Sequence, residues 1–228
     1  MLAYKDSGLT MNQFLIDLKD KFNFEKIAYT ARLDPMARGI VPILINDECL
    51  KIKQSLGYDK TYKVRVFLGL QTDSDDSLGI LENILDYDFS NFIENHKKEF
   101  ELNNYSYNQK FHYFSTKSMK HRKQKDFSEK YHNITIYSSK ILYIGKINYN
   151  YWKNENRNII LKIDNTKNFR QNEILDQWDN LKLEELNYID LELKVSSGFF
   201  VRQFIRDIST KINFPLMCYD INRVSVEV

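Results

Sequence analysis

The chain reads as an α+β domain, with a central mixed or mostly antiparallel sheet flanked by helices and loops. Three observations point there. Thr61–Leu68 alternates as a half-buried strand does. Amphipathic helical spacing stands toward both ends, at Phe14, Leu15, Leu18 and Phe22, and at Phe200, Phe204, Ile205, Ile208 and Ile212. Strands and helices do not strictly alternate between them.

Taken in order, Thr10-Met11-Asn12-Gln13 has the capping-box form and opens a helix over about 11–22. Ile40–Asn46 reads as a strand and Asp47–Leu56 as a short helix. Thr61–Leu68 is the next strand, and 79–87 carries another strand-like run. Further runs are Ile134–Tyr137 and Ile141–Ile144 within 133–150, then Asn158–Ile163 and Ile189–Val195. A helix over about 199–212 and a strand at Arg223–Val228 follow. Five of the seven glycines and two of the three prolines lie in residues 1–80, so turn geometry is defined early. The middle is rich in Asn, Lys and Tyr, a compositional bias with little functional content. There is no internal repeat and no clear linker, so residues 1–228 read as a single domain.

A hydrophobic content of 43% in 228 residues supports a buried core. No apolar run approaches the roughly 18 residues of a membrane helix. Met1–Asp6 lacks the build of a signal peptide. Cys49 and Cys218 lie far apart among apolar neighbours and read as buried thiols in a reducing compartment. A cytoplasmic protein is expected. The net charge of +2 is too small to announce a nucleic-acid partner. Its distribution says more: Lys117, Lys120, Arg122, Lys123, Lys125 and Lys130 cluster, fitting either a face for phosphates or a solvated loop.

Four stretches could carry chemistry. In Ala31–Gly39, Asp34 precedes a proline that keeps it off a helix, with Arg32 and Arg38 nearby. A carboxylate on a stiff loop among cations stays ionised and can act as nucleophile or base, although Asp-Pro is also common turn chemistry. Lys60-Thr61-Tyr62 opens a strand, where an aromatic could stack on a base or simply fill the core. Gly69–Gly79 resembles a metal loop but holds Leu78 and Ile84 where a calcium loop needs glycine and a carboxylate. A polar turn with Asp and Ser capping backbone amides is the better reading. Ser196–Arg202 joins a strand to a helix, and Arg202 in the first helical turn opposes the helix dipole. That cost calls for a carboxylate partner, and Asp34 is the obvious one. The four histidines and two cysteines show no zinc spacing.

The order of these motifs resembles the TruB family of tRNA pseudouridine synthases. The residues that carry it are Leu33-Asp34-Pro35-Met36-Ala37-x-Gly39, Lys60-Thr61-Tyr62, Leu68-Gly69-x-x-Thr72-Asp73-x-Asp75-Asp76-x-x-Gly79, and Gly198-x-x-Val201-Arg202 with Asp207. Lys5-Asp6-Ser7-Gly8-Leu9-Thr10 is similar to the family's opening Lys-Pro-x-Gly-x-Thr-Ser, and Gln109 with Phe114-Ser115-Thr116 is a weaker echo. The resemblance covers about half the chain. It implies the pseudouridine synthase fold and isomerisation of a uridine in the tRNA T-loop. Asp34, Tyr62 and Arg202 would be the catalytic set. Asp34 would act at the sugar, Tyr62 would stack on the flipped base, and Arg202 would orient Asp34. Neither a cofactor nor a metal is implied. RNA, the tRNA T-arm first, would be the partner of a monomeric enzyme, with a larger ribonucleoprotein as the other assembly. A catalytically weakened RNA-binding subunit or tRNA chaperone, or a synthase acting on another RNA, are the alternatives.

The sequence also departs from the family pattern. Ala28-Tyr29-Thr30-Ala31-Arg32 stands where Gly-His-Thr-Gly-Thr is usual, so Tyr29 and Thr30 would meet the RNA. Arg32, Arg38 and Lys60 would contact phosphates, as would Lys117, Arg122 and Lys123 in a basic thumb-like insertion within about 105–155. Phe200 replaces a tyrosine, and Phe111 and His112 replace two prolines. The C-terminal PUA domain typical of the family is expected to be absent.

Overall fold

The computed structural model describes residues 1–115, 130–166 and 168–227. Ten strands and five α-helices lie among the described residues. The strands are β1 (Leu2–Lys5), β2 (Ile27–Tyr29), β3 (Arg38–Ile45), β4 (Lys60–Leu68), β5 (Leu70–Thr72), β6 (Leu81–Ile84), β7 (Asn103–Lys110), β8 (Tyr131–Asn148), β9 (Glu185–Val195) and β10 (Leu216–Val226). The helices are α1 (Met11–Phe22), α2 (Phe92–Phe100), α3 (Tyr149–Lys162), α4 (Gln171–Asn180) and α5 (Val201–Ile212), with a 3₁₀ helix at Asn46–Ser55. The main sheet runs β1-β3-β10-β4-β9-β8-β7, with β2 added on β3. Every pairing is antiparallel except β10 with β3, which meet in parallel at Asn222↔Arg38 and Arg223↔Gly39. The mixed, mostly antiparallel sheet expected from the sequence is the one found.

Strand alternation sorts the core into two layers. Tyr62, Val64, Val66 and Leu68 of β4 join Leu216, Cys218 and Ile221 of β10 under helix α5. Phe67 and Met217 point the other way, into a cluster with Trp152 of α3 and Trp178 of α4. Trp152 stands edge-on to both Phe67 and Trp178, with centroids 5.2 and 5.1 Å apart. Each such fully buried apolar side chain contributes about 1.5–3 kcal/mol.

Helix α1 begins where the capping box placed it. Thr10 Oγ1 accepts from the Gln13 amide at 3.2 Å, and Gln13 Oε1 accepts from the Thr10 amide at 2.8 Å. Asn23 in the left-handed region ends it. Asn158–Ile163 is not a strand. It is the second half of α3, whose buried Tyr149, Trp152, Asn156 and Ile160 follow a helical period across fourteen residues. The paired isoleucines at 159 and 160 imitate a strand only in a short window. The two runs Ile134–Tyr137 and Ile141–Ile144 are one long strand, β8, with register shifts at Ile136/Ser138 and Ile141/Tyr143. Those bulges interrupt the alternation that would have joined the runs. Cys218 is buried and Cys49 only partly so, and both are free. No helix is long and apolar enough to cross a membrane among the described residues.

Candidate active site

The Ala31–Gly39 loop joins β2 to β3 and is held from below by two buried cations. Arg223 of β10 donates to the carbonyls of Ala31 at 2.9 Å, Arg32 at 3.1 Å and Ile40 at 2.6 Å. Lys5 of β1 donates to the carbonyls of Ala37 at 2.7 Å, Asp6 at 2.9 Å and Pro35 at 3.4 Å. Neither side chain reaches solvent, so their charges are met by peptide dipoles rather than water. Burial lowers the Lys5 pKa to about 8, with the charges of Asp34 and Asp6 opposing that shift. Gly39 completes the loop in a left-handed conformation at φ +122°, where an added Cβ would lie 2.3 Å from the Arg223 carbonyl oxygen. Only glycine fits that approach.

The loop presents Asp34 at the surface, its side chain 36% exposed. Arg202, in the first turn of α5 and almost wholly buried, donates Nη2 to Asp34 Oδ2 at 2.7 Å. Burial pushes the Asp34 pKa up, but the Arg202 charge and hydrogen bond outweigh it and hold the carboxyl below its usual range. Among the described residues, Asp34 Oδ1 has no hydrogen-bond partner. Tyr62 lies opposite Arg223 on the β4–β10 ladder. Burial raises its pKa, the Arg223 guanidinium opposes that, and the Asp34 charge adds to it, so Tyr62 keeps its proton. The sequence reading had paired Arg202 with Asp34, and that contact is present.

The loop from Thr72 to Gly79 proves to be more than a polar turn. Its carboxylates do cap amides, Asp76 Oδ1 accepting from Leu78 at 3.0 Å and Asp73 Oδ1 from Ile80 at 2.9 Å. They also bind arginines. Arg202 Nη1 donates to the Ser74 carbonyl at 2.8 Å and lies 3.2 Å from Asp76 Oδ2. Arg206 Nε reaches Asp75 Oδ2 at 2.5 Å, and Arg170 forks onto Asp73 at 2.6 and 3.1 Å. Burial lifts the Asp75 pKa to about 6, with Arg206 and Arg202 opposing, and raises that of Asp76 as well. Asp34 and Asp76 thus grip one guanidinium from two sides.

The other sequence-predicted residues are placed less uniformly. Tyr29 sits on β2 and its hydroxyl accepts from Arg32 Nη1 at 3.2 Å, so the pair lies at the exposed rim of the Asp34 loop. Thr30 is tied through its amide to the Pro42 carbonyl at 3.1 Å. Arg38 is forked onto Asp220 at 2.9 and 2.7 Å and donates to Tyr4 at 3.2 Å, so its charge is already answered within the protein. Lys60 Nζ donates to the Tyr58 carbonyl. Phe200, at the start of α5, is clamped by Gln109, which accepts from its amide at 2.8 Å and donates to its carbonyl at 3.0 Å. Lys117, Arg122 and Lys123 lie outside the described residues. Lys5, Arg223, His112 and Gln109 carry structural roles that the sequence reading did not assign. A charged residue inside an apolar strand was the available signal for the first two. No group of three or more metal-ligating side chains is formed among the described residues.

Comparison with known proteins bears on the family and the fold. Residues 19–169 match the family model described as TruB family pseudouridylate synthase, N-terminal domain. A tRNA pseudouridine synthase B from Blochmanniella pennsylvanica is 34% identical over 93 residues, covering 41% of this chain and 36% of that protein. The one from Francisella philomiragia is 40% identical over 75 residues, 33% of this chain and 25% of that protein. The matched stretches thus span about a quarter to a third of these curated relatives. A crystal structure of a Cbf5-Nop10-Gar1 complex shares the fold, with a TM-score of 0.55 at 13% identity, covering 98% of this chain and 47% of that one. The match of that family model to well over half of the residues shows that the chain belongs to the TruB family of pseudouridylate synthases.

Proposed function

We propose that the chain isomerises a uridine in RNA to pseudouridine, with Asp34 as the catalytic residue and the T-loop uridine of tRNA as its target. The observation that carries this is the 2.7 Å pair of the partly exposed Asp34 carboxylate with the buried Arg202. In the reaction the N1–C1′ glycosidic bond breaks and a C5–C1′ bond forms. The proton leaves C5 and N1 gains one, so no electrons or atoms are exchanged with a cofactor. An ionised Asp34 provides the negative charge that the sugar needs as the glycosidic bond breaks. Arg202 orients that charge, and Tyr62, buried but near enough to feel the Asp34 charge, would keep its proton and pack against the extruded base. Arg32 and Tyr29 at the rim would meet the RNA, and the names of the relatives support tRNA as its class. A monomer acting on the T-arm is the simplest assembly for this reading.

The test is direct. The protein is incubated with an unmodified tRNA transcript, and pseudouridine is mapped nucleotide by nucleotide. Wild type forms pseudouridine in the T-loop. Asp34→Asn and Asp34→Ala abolish product while RNA affinity stays within about threefold, because the carboxylate supplies chemistry rather than binding. Turnover retained in either variant sinks the role of Asp34, and product elsewhere in the RNA sinks the T-loop assignment.

A further inference from the structure

His112 stands where the family resemblance places a proline, and its imidazole points inward. It is buried, with a side chain only 2% exposed. The Phe114 amide donates to Nδ1 at 3.3 Å, which leaves Nε2 as the protonated nitrogen. Nε2 donates to Asp75 Oδ2 at 2.9 Å. The same oxygen receives Arg206 Nε, while Asp75 Oδ1 is buried without a partner among the described residues. Asp75 sits at φ +58°, a left-handed conformation that a non-glycine residue holds only when its surroundings enforce it.

The neighbours of Asp75 in sequence are the two residues that seat Arg202. Ser74 supplies its carbonyl and Asp76 its carboxylate. A chain of contacts therefore runs from the loop after β7, through His112 and Asp75, to Arg202 and Asp34. A proline at this position has no side-chain donor to offer. Burial, reinforced by the Arg202 and Arg206 charges and opposed by that of Asp34, disfavours the cationic form of the imidazole, so the bond to Asp75 stays that of a neutral donor.

We infer that His112 is a positioning residue for the Asp34–Arg202 pair, acting through Asp75. It fixes the strained Ser74-Asp75-Asp76 backbone, and that backbone fixes the guanidinium that aims Asp34. This inference rests on the catalytic reading of Asp34, but one of its two measurements is independent of activity.

The experiment compares wild type with His112→Ala and His112→Gln on an unmodified tRNA transcript. Gln keeps an amide donor at about the reach of Nε2. His112→Ala is expected to lower the single-turnover rate about 10- to 100-fold, as small misplacements of a catalytic group do, with RNA affinity within about twofold of wild type. His112→Gln is expected to restore the rate to within about threefold, because it returns the hydrogen bond. If the alanine variant does not fold, His112→Leu, which keeps volume without a donor, takes its place. The second measurement is titration of the Asp34 carboxyl by carbon NMR without RNA. Its pKa rises in the variants without a donor and stays low in His112→Gln. The inference is overturned by an unchanged Asp34 titration and rate, by an RNA affinity that falls in step with the rate, or by a glutamine variant as slow as alanine. A wild type that makes no pseudouridine removes the functional reading by itself, and the Asp34 titration still decides this one.

Discussion

Arg202 is the residue on which most of the site's electrostatics converge. It is buried, and it answers Asp34, Asp76 and the Ser74 carbonyl together. Truncating it leaves a buried carboxylate at Asp76 without its cation. Arg202→Ala is therefore expected to destabilise the fold by about 3–5 kcal/mol, read by urea unfolding. Arg202→Lys keeps a charge but cannot reach both sides of the pair with one planar group, so most of the loss should remain. Asp75 and Asp34 pull stability in opposite directions with pH. A folded pKa of about 6 against 3.8 means that the folded chain holds a proton the unfolded chain has released. Stability from Asp75 is therefore present below about pH 4 and is lost as pH rises through 6, by about 3 kcal/mol. Asp75→Asn should flatten that part of a stability-versus-pH curve measured between pH 4 and 7. Asp34 has the reverse sign: its contribution is present above its unfolded pKa and is lost as pH falls through its lowered folded one.

At the scale of elements, the parts most legible in the sequence were those whose signals are local. The Thr10 capping box and the 3.6-residue spacing of Phe204, Ile205 and Ile208 located α1 and α5 closely. The alternation of Tyr62, Val64, Val66 and Leu68 marked β4 for the same reason. Helices α2 and α4 were missed because their apolar residues are sparse among Asn, Asp, Glu and Lys. Trp178 and Ile174 commit α4 to the core only by meeting α3. The site divided likewise. Asp34 and Arg202 could be matched because each sits in a recognisable string, and an arginine in a first helical turn needs an explanation. Lys5 and Arg223 could not, since their ligands are backbone carbonyls brought near by sheet topology. Gly39 tests that topology. Gly39→Ala places a methyl group against the Arg223 backbone and is expected to cost several kcal/mol in thermal or urea unfolding, well beyond the ordinary surface substitution.

For the whole molecule, eight of the ten strands among the described residues lie in one sheet that runs from β1 to β7, and β5 and β6 pair separately. The basic segment around Lys117, Arg122 and Lys123 lies outside the described residues, and its part in RNA binding is open to measurement. Each phosphate contact removed should lower the slope of log affinity against log salt by about 0.7–0.9. Replacing the three with alanine is therefore expected to flatten that slope by about 2 to 3 and weaken RNA binding, with the rate on bound RNA unchanged. An unaltered slope would assign these charges to a merely solvated surface.

The hold of Arg223 on the Asp34 loop also sets an order of assembly. The carbonyls it grips lie 191 and 192 residues earlier in the chain. That loop leaves the ribosome long before the side chain that locks it. Closing so wide a span costs conformational entropy that only the docked β10 strand repays, so the Asp34 loop is expected to take its final shape among the last events of folding. A nascent chain with its N-terminal half already compact would thus hold no ordered Asp34–Arg202 pair until β10 had docked beside β3.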